Sequence, residues 1–230
     1  MSAYPVHFSA DYKERRSRFS VFFRLILAIP LLIVLSIYGL LAEIALVIAW
    51  FSIVFTARYP DGLFEFIAGY IRALTRITGY VALMCDDYPP FWGAPEPAYP
   101  VRLDFDGPLH PYSRAKTLFR LILAIPLLII RWAFAVVLEL VSIAAWFVIV
   151  IIGTLPRSIF DVLAYSNSYI ARADSYVFLL TESYPPIQDN ATDENRGELA
   201  ATPPSPALAA PVEEAVQEPA DDGGASTPGT

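Results

Sequence analysis

The stretch Leu25–Ala57, LILAIPLLIVLSIYGLLAEIALVIAWFSIVFTA, runs for 33 residues with one charged side chain, Glu43. As a single helix it would be about 50 Å long, against a hydrocarbon thickness of about 30 Å. One crossing leaves too much apolar helix over. Two helices joined by a tight turn near Tyr38 and Gly39, about 19–37 and 40–57, use the length better. Such a hairpin either crosses the bilayer fully or re-enters it as a shallow loop. Pro30 falls inside its first helix, where it frees the carbonyl four residues earlier and kinks the axis. Packed neighbours in a membrane satisfy such a freed group.

The chain then repeats itself. FRLILAIPLLI occupies Phe23–Ile33 and again Phe119–Ile129, an offset of 96. The same offset aligns Glu43 with Glu139, Trp50 with Trp146, Pro60 with Pro156, Arg76 with Arg172, and Tyr88-Pro89-Pro90 with Tyr184-Pro185-Pro186. Tyr4-Pro5-Val6 matches Tyr99-Pro100-Val101 at an offset of 95. Matched acids, tryptophans and arginines exceed what two apolar runs share by chance, so the chain is two copies of one module. The modules span 1–92 and 99–188, a Pro-rich link covers 93–98, and 189–230 follow. The second hairpin is expected over about 115–153, turning near Arg131 and Trp132.

After each hairpin comes a third helical stretch, about 63–84 and 158–180. In the first copy Glu65, Gly69, Arg72, Arg76 and Gly79 recur at spacings of four and three, which gathers them on one face. The pattern predicts an amphipathic helix lying in the interface, because central arginines are costly in a crossing. Before each hairpin, Val6, Phe8 and Ala10, and again Val101, Leu103 and Phe105, alternate as in short strands. The two either pair in a small sheet or stay as separate extended segments.

At 56% hydrophobic and 17% charged, with mean hydropathy +0.49, the composition excludes an ordinary water-soluble enzyme. The fold class expected is an all-α integral membrane protein with short strands. The net charge of −7 belongs to the end of the chain: 189–230 carry nine acids and one base, and the rest is near neutral. That extension, without an aromatic residue, cannot bury enough surface to order itself, and reads as a disordered tail able to recruit a basic protein partner. Met1–Arg18 lacks the apolar core of a secretory signal. Two crossings per module put the basic residues flanking every hairpin on one side, the cytoplasm, together with both termini. Nucleic-acid binding has no support in a near-neutral body with an acidic tail.

Chemistry is sparse. Glu43 and Glu139 stand alone in apolar runs and are the intramembrane candidates, with Arg131 as a possible partner cation. Arg24, Arg120, Arg72, Arg76 and Arg172 are candidates for lipid-headgroup contact. His7 and His110 match no metal spacing, Cys85 is alone, and no nucleophile elbow or phosphate loop is present, so neither cofactor nor metal is expected. The role expected is a non-enzymatic accessory or scaffold subunit. Lipid or small-solute handling between the repeats, with Glu43 and Glu139 face to face, is the alternative.

RLILAIPLLI, the junction ARYPDGLF (Ala57–Phe64) and the closing DDYPPF make Tyr4–Phe91 resemble the bacterial membrane family catalogued as domain of unknown function 4389. Residues 99–187 resemble a second copy, which departs at the junction, reading GTLPRSIF (Gly153–Phe160). The resemblance implies a bacterial integral membrane protein and supplies no activity.

Overall fold

A computed structural model describes residues 4–108 and 111–187. The acidic extension, and with it the expected disorder and partner recruitment, lies outside the described residues, as does His110. The elements run β1 (Val6–Ala10), α1 (Arg18–Thr56), α2 (Asp61–Val81), β2 (Val101–Phe105), α3 (Arg114–Ile152) and α4 (Arg157–Val177). Two apolar, two amphipathic helices and one strand pair thus reproduce the repeat read from sequence.

The hairpins are not formed. α1 and α3 are each one helix of 39 residues, about 58 Å long. Gly39, expected to turn the chain, instead admits α2: a Cβ there would stand 3.1 Å from the Tyr70 hydroxyl. The second expected turn, Arg131-Trp132, contains no helix breaker, and Pro30 and Pro126 are both accommodated inside their helices. Capping places the true ends further apart. Ser17 and Ser113 accept from the amides of Ser20 and Lys116 at 3.4 Å. Ala57 and Gly153, both left-handed, close the far ends through amides bonded to Ile53 and Ile149 carbonyls.

α1 and α3 run antiparallel and meet at both ends. Arg18 donates to the Ile152 carbonyl at 2.9 Å, and the Arg16 amide to Gly153 at 3.1 Å. At the other end the Trp50 indole donates to Thr117 and the Tyr112 amide to Ala57. α1 packs on α2, α3 on α4, and α2 on α4. β1 and β2 form an antiparallel pair with Val6 opposite Phe105 and Phe8 opposite Leu103.

The strands are exchanged between copies. β2 lies on α2, and β1 on α4, so each copy's strand covers the other copy's helix. This overturns the interfacial reading of the amphipathic helices. The arginine part of the α2 polar face does not lie open to water, because the partner copy's strand roofs it: Gly79 abuts Val101, and Arg72 lies over the Phe105 ring at 5.2 Å. Glu65, at the start of that face, stays exposed. α2 and α4 become the buried centre of the molecule. Each ends in a left-handed leucine, Leu83 and Leu179. That conformation costs a non-glycine residue about 1 kcal/mol or more, offset here by burying both side chains.

The link closes against α2 where two glycines touch. A Cβ on Gly93 would lie 1.6 Å from the Gly69 carbonyl oxygen, a backbone atom that cannot rotate away. Gly93→Ala is therefore expected to cost about 1–3 kcal/mol, seen as a lowered Tm in detergent. Gly62→Ala, with nothing within 4 Å of the new methyl, is the control and should be neutral or slightly stabilising.

Candidate functional site: buried cations beneath an apolar face

Two arginines bolt the long helices to the short ones. Arg24, on α1 and 2% exposed, donates through Nη1 to the carbonyls of Tyr80 and Cys85, and through Nη2 to Asp86 Oδ1, all at 2.8 Å. Its guanidinium stands 4.5 Å over the Tyr80 ring. Arg120, on α3, repeats this with Tyr176 and Thr181 carbonyls and the Tyr176 ring at 4.4 Å. A cation at a helix C-terminus meets the negative end of the dipole and the carbonyls left without intrahelical donors. The headgroup contacts expected of Arg24 and Arg120 give way to this capping: both cations are buried, and carbonyls, with Asp86 at Arg24, take their Nη donors.

Arg72, Arg76 and Arg172 are likewise interior. Arg72 reaches Glu65 at 3.4 Å. Arg172 donates from Nε to the Ser168 carbonyl. Arg76, 1% exposed, stands 5.9 Å from the Tyr99 ring, and its Nε and Nη1 make no hydrogen bond among the described residues. Burial, then the neighbouring Arg72 charge, holds the Arg76 guanidinium below its ordinary pKa. Tyr99 precedes β2 and Tyr4 precedes β1, so each tyrosine faces the other copy's arginine, Tyr4 lying near Arg172.

Where the copies meet, Arg131 on α3 pairs with Asp174 on α4 through both carboxylate oxygens, the second at 2.9 Å. Arg131 is thus engaged by Asp174 rather than by Glu43 or Glu139. Burial pushes the Asp174 carboxyl up, against the lowering pull of Arg131. Glu43 and Glu139 are exposed in mid-helix and make no hydrogen bond or ion pair among the described residues. Glu43 does lie near Tyr70, whose hydroxyl is raised by burial, then by Asp174 and Glu43. Asp174 was missed in the sequence reading. A signal existed: aligned at offset 96, Arg131 and Asp174 stand where the first copy has Leu35 and Thr78, a paired departure from the repeat.

The outer surface divides sharply. α1 and α3 expose large apolar side chains along their whole length, from Phe19 to Phe55 and from Leu118 to Ile152. Both are long and apolar enough to cross a membrane, α1 over Arg18–Thr56 and α3 from Ile122 to Ile152. The strand side is charged, with His7 bonded to Asp106 and Arg102 forked onto Asp11. Tyr88, Phe91 and Trp92, with Tyr184 in the second copy, are exposed aromatics, and Tyr88 reaches the Leu27 carbonyl on α1. An open cleft of about 490 Å³ is lined by Arg58, Tyr59, Pro60 and Asp61 at the α1–α2 junction. Among the described residues no group of three or more His, Cys, Asp or Glu could hold a metal.

The family described as Domain of unknown function (DUF4389) matches the chain twice, over residues 18–93 and 114–188. No curated protein and no solved structure matches it.

Proposed function

From the premise that the chain belongs to the DUF4389 family, in two tandem copies, we propose that it is an integral protein of the bacterial inner membrane serving as a non-enzymatic accessory or scaffold subunit. The observation that carries this is the long apolar surface of α1 and α3, interrupted by charge in mid-helix at Glu43 and Glu139. At about 25 cal/mol for each Å² of apolar area kept from water, a face of this extent is untenable in solution. The interior cations support a structural part, since Arg24, Arg120 and Arg131 each tie one helix to another.

Membranes from expressing cells test it. The protein should stay in the pellet through alkaline carbonate and high salt and leave it only in detergent. Release by carbonate removes the integral reading. Crosslinking in the same membranes should recover a partner set that shrinks when 189–230 are deleted. An unchanged set removes the extension's role, and turnover by the purified protein of any membrane substrate would remove the non-enzymatic one.

A further inference from the structure

Resting on that membrane reading, we infer that α1 and α3 lie side by side within a single leaflet, with their ends at the headgroups, rather than passing from one surface to the other. Three observations converge. The exposed apolar run from Phe19 to Phe55 is about 54 Å long, and fitting it across about 30 Å of hydrocarbon needs a tilt of about 55°, beyond the 0–40° that spanning helices adopt.

Second, the long helices cannot cross without their cover. α1 is held to the α2 region at both halves: the Ser17 amide bonds Asp86, Arg24 bonds Tyr80, and Tyr38 bonds the Phe66 carbonyl. α2 in turn carries β2. An upright α1 would take the exposed charges in and beside the strand pair, including Asp11, Asp104 and Asp106, into hydrocarbon with it. A flat one leaves the strand side in water and the apolar side in lipid.

Third, exposed basic residues flank both ends of the antiparallel pair. Lys13, Arg15 and Arg18 stand at one end and Arg58, Arg114 and Lys116 at the other. A spanning pair sends one of these groups to the outside, against the positive-inside bias. A pair lying in the cytoplasmic leaflet keeps both groups at one surface, where they meet anionic phospholipid headgroups. The exposed aromatics Tyr88 and Trp92 suit the same depth.

The test places single cysteines in the full chain, with buried Cys85 replaced by Ser. Glu14→Cys and Gly62→Cys flank the two ends of α1. An impermeant maleimide should label both in inside-out vesicles and neither in spheroplasts; labelling of one from each side overturns the inference. Nitroxides at Leu25, Leu40 and Phe55, read by oxygen against a nickel chelate in phosphatidylethanolamine–phosphatidylglycerol vesicles, should report one common depth. A profile running through the bilayer centre to the far surface overturns it. So does shielding of all three labels from both reagents, which means a second copy covers the face. Free access of the chelate to all three defeats the membrane reading itself, a separate failure.

Discussion

Arg24→Met should lower stability by about 3–5 kcal/mol, read as a fall in Tm in detergent, because it strips one partner from a buried charge pair. Three bonds disappear together, two to carbonyls at or just past the end of α2 and one to Asp86, whose carboxylate, only 17% exposed, loses its cation with little water to replace it. Arg120→Met removes the matching bolt, but no carboxylate is bonded there. Only the Tyr176 and Thr181 carbonyls are orphaned, so the loss should be nearer 2 kcal/mol. Lysine should rescue neither fully. Arg120 takes its two carbonyls on separate nitrogens, and Arg24 holds both carbonyls on Nη1 while Nη2 holds Asp86, so a compact ammonium lacks the fork that spans either set. Equal effects at the two sites would mean that packing over the tyrosine rings, which they share, outweighs the ionic part.

The repeat, the extended character of the two strands and the helical character of every long element were legible from residue spacing, because matched residues and period-two alternation do not depend on tertiary contacts; the pairing of the strands and its antiparallel register were not. The length of α1 was not. A run apolar on every side carries no periodic face, so nothing in Leu25–Ala57 tells a 39-residue helix from two shorter ones. Gly39 is ambiguous by nature: absence of a Cβ serves a turn and a close helix approach equally, and only Tyr70 decides between them. The arginine stripe of α2 failed for another reason. It was read as a wet face because the element that roofs it, β2, lies beyond the link and belongs to the other copy. Arg24 and Arg120 looked like flank residues since a helix alone does not reveal that its neighbour's C-terminus is waiting 2.8 Å or less from their guanidinium nitrogens.

Asp174→Asn is the sharpest probe of how far the copies have diverged. It leaves the Arg131 guanidinium, about a third exposed in mid-helix, facing a neutral amide, and should cost about 3 kcal/mol, the low end for a broken buried pair. The first copy shows what the site looks like without the pair, holding Leu35 and Thr78 at the matched positions. Arg131→Leu combined with Asp174→Thr grafts that arrangement onto the second copy. Desolvating both charges opposes their attraction, so the double variant should return to within about 1 kcal/mol of the parent Tm. Such a recovery would assign the pair to the seating of α3 against α4 within the second copy rather than to net stability. A double variant as unstable as Asp174→Asn would instead show that Tyr70 and Glu43, which share this region with the pair, depend on its charges.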